Sequence, residues 1–245
     1  MRIALISDIH GNQLALEHVL SDARRVGADR VACLGDVATL GPRPRDVLRT
    51  LRDLGCPVIQ GNHDAFLLDP SLVRRYSNAK VIVDAVDWCR AQLSADDLAF
   101  IGTFASEIDV PLAGGRLLHL YHGSPESNVQ DVLATTDEEE LERLLAGRRA
   151  DIMAGGHTHI QMLRQHRGTW VVNPGSVGMP FRRYVSGARP EIMPYAEYAI
   201  VDDRGEAPSV ELHRVPLDRA KLQSETRAWP KPPELLRDDM LLQYA

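Results

Sequence analysis

Residues 2–36 read RIALISDIHGNQLALEHVLSDARRVGADRVACLGD, and this stretch decides the fold. Residues 2–7 predict a short buried strand that gives way to the polar turn Asp8-Ile9-His10-Gly11-Asn12. Asn12 caps a helix running to about Val26, with Leu14, Leu16, Val19, Leu20 and Ala23 near helical spacing. Gly27 ends that helix, residues 30–34 make a second strand, and Gly35-Asp36 follows at once. Two strands joined by a crossover helix, each ending in a polar cluster, read as a parallel α/β sheet whose ligands gather at its carboxyl edge.

The pattern continues outward. Residues 44–54 predict a helix with Pro44 at its start, Val47, Leu48 and Leu51 on one face and Gly55 closing it. Residues 57–60 predict a third short strand running into Gly61-Asn62-His63-Asp64. Residues 65–103 read as helical, with one helix over 80–93 and a capping pair, Ser94 and Asp97, for the next. Beyond Glu107 hairpins dominate. One turns at Gly114-Gly115 and another at Arg167-Gly168, and antiparallel strands are expected at 195–201 and 209–215. Between them come an acid-fronted helix over 137–145 and a strand over 151–154 that ends at Gly155-Gly156-His157-Thr158-His159. Together these elements imply two sheets packed together with helices outside. After Pro216 the string AWPKPP breaks any helix, and the amphipathic stretch 234–244 packs either on the body or on a second subunit.

Composition excludes several classes of function. Hydrophobic residues are 44% and charged residues 25% of the 245, the balance of an ordinary globular chain that buries its core without disulfides or structural metals. A net charge of −6 argues against broad nucleic-acid or anionic-membrane binding, though not against a phosphate substrate if bound cations reverse the local field. Cys33, Cys56 and Cys89 are widely spaced with no CxxC pair, which reads as buried free thiols in a reducing cytoplasm. No apolar run approaches the roughly 20 residues of a membrane span, and residues 3–6 are too short for a signal peptide.

Five polar clusters stand at predicted strand ends: Asp8 with His10, Gly35 with Asp36, residues 61–64, His122 with Gly123, and residues 156–159. Taken singly, an Asp-x-His or a Gly-Asp is most often a capped turn. Taken together they hold five of the nine histidines, while His18, His119, His166 and His213 fall in helices or hairpins as structural or exposed residues. Carboxylate, amide and imidazole donors without thiolates suit first-row divalent ions such as Mn²⁺, Fe²⁺ or Zn²⁺, with Mn²⁺ preferred and Ni²⁺ also admitted. One ion needs about four ligands. Seven candidates here imply two ions.

In this order the clusters resemble those of the calcineurin-like metallophosphoesterases, from Asp8 to His159. The strings GDVATLGPRP, YHGSPE and NPGSVGMP are similar to the small bacterial phosphodiesterase branch and extend the likeness to about Pro180. The resemblance implies an α/β, four-layer αββα sandwich of two mixed β-sheets flanked by helices. It places the catalytic domain over 1–217, with 66–104 as a helical insertion near the site and 218–245 as a tail. Carried over by position, Asp8, His10 and His159 bind one metal, Asn62, His122 and His157 bind the other, and Asp36 bridges them. His63 is then the catalytic histidine, with Asp64 holding its ring.

The implied activity is hydrolysis of a small phosphodiester or nucleotide by in-line attack of a hydroxide bridging two cations. Dinucleoside polyphosphate hydrolysis and a protein phosphatase are alternatives on the same site. The phosphoprotein reading is weakened because residues 37–42 after Asp36 contain no arginine and the first is Arg43. A non-catalytic scaffold, as in the retromer subunit of this fold, ordinarily loses a group such as His63, which is present here. Arg182 and Arg183 stand as substrate-phosphate contacts or as solvated loop residues. A homo-oligomer is compatible with the sequence.

Overall fold

The computed structural model describes residues 1–77, 79–184 and 189–244. In chain order it runs β1 (Arg2–Ile6), α1 (Gln13–Arg25), β2 (Arg30–Cys33), α2 (Pro44–Leu54), α3 (Asn62–Leu68), α4 (Ser71–Tyr76), α5 (Lys80–Gln92) and α6 (Ala95–Ile101). There follow β3 (Ile108–Pro111), β4 (Leu117–Leu120), α7 (Glu138–Leu144), β5 (Ile152–Ala154), β6 (Met162–His166), β7 (Thr169–Asn173), β8 (Tyr195–Asp202), β9 (Ser209–Pro216), α8 (Arg219–Arg227) and α9 (Glu234–Gln243).

The strands form two mixed sheets, ordered β2-β1-β8-β9 and β3-β4-β5-β7-β6. β1 pairs in parallel with β2 and antiparallel with β8, while β5 is parallel to both β4 and β7. The two-residue period of β1 sorts its side chains between layers. Ile3 and Leu5 meet Leu118, Leu120, Ile152 and Val172 of the second sheet, which makes the inter-sheet core. Ala4 and Ile6 face the other way, onto Leu16, Val19 and Leu48 of α1 and α2. On the far face of the second sheet, Met153 and Val171 pack against Leu141 and Leu144 of α7. Helices, sheet, sheet and helix give the four layers expected from the sequence.

Local signals act as read. Asn12 accepts the Ala15 N–H at 3.1 Å and starts α1, Gly55 in the left-handed region ends α2, and Ser94 and Asp97 close a reciprocal capping box on α6. Two expectations change. The strand expected at 57–60 shrinks to single parallel bridges, Val58 with Cys33 and Ile59 with Ala105. Pro57 has no N–H to extend the ladder, and Gly61 turns the chain into α3 directly afterwards. The unforeseen helix α8 forms where few residues are apolar. Asp218 caps it by accepting from the Ala220 and Lys221 N–H groups, and Leu222 and Thr226 are buried.

The segment after β9 packs on the body. Leu236, Met240 and Tyr244 recur every four residues along α9 and join the core that holds α1, α2 and α5. The Trp88 indole of α5 donates to the Pro230 carbonyl at 3.2 Å and its ring meets Trp229 edge to face at 5.2 Å. Arg43 pairs with Glu225 of α8 at 2.8 Å. Among the described residues, no helix is long and apolar enough to cross a membrane.

Candidate metal centre

Every candidate ligand stands just beyond a strand or bridge. Asp8 and His10 follow β1, Asp36 follows β2, Asn62 opens α3, His122 follows β4, and His157 and His159 follow β5. The chain is bent sharply there: φ is +53° at Asp8, +48° at His10, +55° at Asp36, +71° at His157 and +59° at His159. Side chains rarely adopt this left-handed region, at a cost of roughly 1–3 kcal/mol each, and positions that keep it cluster at functional sites. The loops also press closely together. A Cβ added at Gly61 would lie 2.1 Å from Asp36 Oδ1, and one at Gly156 would lie 2.0 Å from Ser7 Oγ.

These loops bring together two groups that could each hold a cation, Asp8 with His10 and His159, and Asp36 with His122 and His157. In the first, His159 Nε2 lies 3.4 Å and His10 Nε2 3.9 Å from Asp8 Oδ1. In the second, His122 Nε2 lies 3.5 Å from Asp36 Oδ1 and 3.1 Å from Asn62 Oδ1. Asp36 reaches both, since its Oδ2 is 3.8 Å from His10 Nε2. Two rings are aimed by backbone: His122 Nδ1 is 2.6 Å from the Leu34 carbonyl and His159 Nδ1 is 2.7 Å from that of Met179. A proton on each Nδ1 satisfies those carbonyls and leaves each Nε2 lone pair for the centre.

The residues fit cations on their own terms. Asp8 Oδ1 is buried without a hydrogen-bond partner, and the Nε2 atoms of His10 and His159 face each other at 3.0 Å. A buried carboxylate oxygen without a hydrogen-bond partner, with imidazole nitrogens converging beside it, is costly unless a positive charge joins them. Burial acts to raise Asp8, but His159 and His122 outweigh it and hold the carboxyl at about 2. Asp36 is likewise kept well below the usual carboxylate range, against its burial, chiefly by His122 and His63. Burial lowers His10 to about 3, so its ring is neutral. Burial also opposes charge on His122, yet Asp36 and Asp8 push it up to about 9.

A family model described as the calcineurin-like phosphoesterase superfamily domain matches residues 1–193. The chain belongs to the calcineurin-like phosphoesterase superfamily. It is thus a metal-dependent phosphoesterase, a hydrolase, by membership. The crystal structure of a metallophosphoesterase from Sphaerobacter thermophilus superposes with a TM-score of 0.76 at 26% identity, covering 100% of both chains. Phosphodiesterase YfcE of Escherichia coli K12 is 28% identical over 74% of this chain and 81% of its own length. A symmetrical bis(5'-nucleosyl)-tetraphosphatase of Thioalkalivibrio sulfidiphilus is 36% identical, but over 38% of this chain and 36% of its own.

Within this phosphoesterase centre, two sequence expectations need correction. Asp64 does not hold the His63 ring. Its carboxylate accepts instead from the N–H groups of Asp36 at 2.8 Å, Val37 at 3.0 Å and Gly61 at 2.9 Å. His63 and Asp64 are consecutive in α3, about 100° apart around its axis, so they point different ways. The neighbour of the His63 ring is Thr39, whose hydroxyl lies 2.9 Å from Nδ1. Arg182 and Arg183 are the second correction, for they line a neighbouring groove and not the metal cleft. Arg182 there pairs with Glu191. The cleft has Arg189 instead.

Other contributors had weaker signals. Asp131 stands 3.6 Å from His157 Nε2 and accepts the Tyr184 hydroxyl at 2.6 Å, from a loop whose sequence carries no metal pattern. Ser176 donates to the Asp8 carbonyl at 2.7 Å and Asn173 to that of Gly156 at 2.6 Å. The NPGS string therefore supports two ligand loops at once.

Proposed function

We propose that this protein hydrolyses small phosphodiesters or nucleotide-type phosphate esters. Asp8, His10 and His159 hold one divalent ion, Asn62, His122 and His157 hold a second, and Asp36 serves both, with Mn²⁺ the preferred metal. When bound, such a pair of cations supplies an activated water and neutralises charge on the phosphoryl group. The observation that carries the reading is Asp36, with one oxygen 3.8 Å from His10 and the other 3.5 Å from His122.

The chain's own residues do the rest. His63 lines the cleft with Nδ1 against Thr39, which leaves the opposite edge of the ring to meet the ester oxygen that departs. Burial lowers the His63 pKa in the free protein, and an arriving phosphate anion is the charge that restores its proton. Asp64, by gripping three backbone N–H groups, fixes the loop that carries Asp36.

The test is a panel on chelator-treated protein resupplied with Mn²⁺: bis(p-nitrophenyl) phosphate, p-nitrophenyl phosphate, a dinucleoside tetraphosphate and a phosphopeptide. Diester turnover above the others supports the reading, and no metal-dependent turnover of any of them overturns it. Preference for the tetraphosphate would favour the second reading, which the partial likeness to a tetraphosphatase motivates. Asp36→Asn should weaken both metal equivalents in a calorimetric titration. Loss of one alone would contradict its shared role.

A further inference from the structure

The cleft over the candidate metal centre encloses about 690 Å³ and has two unlike ends. One end is polar, formed by His10, Asp36, Asn62, His63, His157 and His159. The other is apolar, with Val81 and Ile82 of α5, Ile192, and Leu235 and Leu236 of α9, while Phe181 stacks on the His159 ring at 4.3 Å. Tyr76 stands at the side, its ring 6.5 Å from that of His157. The wall from α9 lies beyond residue 193, where the superfamily match ends.

Two details give this wall a purpose. Leu236 is 6% exposed and belongs to the core, whereas its neighbour Leu235 is 68% exposed and turned to the cleft. An open leucine in the same cleft as the polar centre keeps its apolar surface in water, and a ligand that covers it gains that contact. Charge supplies the second detail. Among the described lining residues Arg189 is the one Lys or Arg, and it is paired with Asp239. Two metal ions offset one phosphoryl group, and little positive charge remains for a chain of phosphates.

We propose that α9 forms the substituent wall of the cleft and selects phosphate esters bearing a planar apolar group, of aryl or nucleobase kind, over small alkyl esters and polyphosphates. This rests on the phosphoesterase reading above, with the phosphoryl group at the metal end. The planar group lies against Leu235, between Tyr76 and the α5 side chains.

Non-hydrolysable probes test it apart from turnover. Phenylphosphonate and methylphosphonate are titrated calorimetrically into the Mn²⁺-loaded full chain, as wild type, Leu235→Asp and Leu235→Met. The wild type and Leu235→Met should bind the phenyl compound about tenfold tighter than the methyl one. Leu235→Asp should bring the two within about twofold, the ratio being taken within each variant so that repulsion of both phosphonates by the new carboxylate cancels. Equal affinities in the wild type, or a preference that survives Leu235→Asp, overturns the proposal. A clear phenyl preference without hydrolysis of any ester would sink the hydrolase reading and leave the wall standing.

Discussion

Thr39 has its hydroxyl 2.9 Å from His63 Nδ1 and 3.4 Å from His10 Nδ1, so one small side chain steadies both rings. Thr39→Val keeps the shape and removes the hydrogen bond. We expect two bound metals, an unchanged KM and a kcat lower by about tenfold, with the His63 limb of the pH–rate profile displaced. His63→Ala should retain the metals and lose about 10²-fold or more in rate. If metal is lost with the ring, His63 is a ligand instead. The ligand candidates were legible in the sequence because residue type at a strand end carries that information. Thr39 was not, since a lone threonine in a turn announces nothing. The role given to Asp64 came with the family resemblance, and its carboxylate turns to the backbone N–H groups of Asp36, Val37 and Gly61 instead.

At the scale of elements, the start of α3 joins two loops. Asp64 sits in its first turn and its carboxylate draws the N–H groups of Gly61, Asp36 and Val37 together. Burial, and then Asp36, raise this carboxyl to about 7 while those backbone donors oppose the rise. Asp64→Ala leaves three buried donors unmet and should cost about 2–4 kcal/mol in urea unfolding, with weaker binding of both metals. Normal stability with slow turnover would return Asp64 to a purely catalytic role. Helices α1, α2 and α6 were legible through Asn12, Gly55 and the Ser94–Asp97 pair, whose chemistry is local. The short bridges at Val58 and Ile59 and the polar helix α8 depend on tertiary partners, Cys33 and Ala105 for the bridges and Arg43 for Glu225. Such dependence leaves no periodic trace.

Over the whole molecule, two packed sheets follow from the strand–helix–strand order of the first half and the hairpins of the second, yet which strand flanks β1 on the side away from β2 was beyond reach. It is β8, from the far end of the chain, and it carries the buried Glu197. One oxygen of Glu197 accepts from Arg214 Nε at 2.9 Å and the other has no partner. Burial pushes its pKa up to about 7 although Arg214 opposes this. A raised carboxyl pKa stabilises the fold below the unfolded value near 4.5, and that contribution is lost as pH rises through about 7. Glu197→Gln should therefore gain on the wild type between pH 5 and pH 8, by on the order of 1–3 kcal/mol, in parallel urea titrations. A difference that is flat with pH, or that runs the other way, would give the Arg214 pair the larger share.

Each candidate ligand group spans the seam between the sheets. Asp8 and His10 follow a strand of the first and His159 a strand of the second, and the touching imidazoles of His10 and His159 are separated by 149 positions of chain. Neither sheet alone can present a complete set of donors. During synthesis the first pocket therefore has to wait for the second half of the polypeptide, and an ion cannot serve as an early nucleus for folding. Once seated, an ion ties the two surfaces together, and binding to the folded form alone should raise stability in step with metal concentration. The gain in urea midpoint on adding Mn²⁺ thus becomes a gauge of how firmly the two halves of the chain are joined.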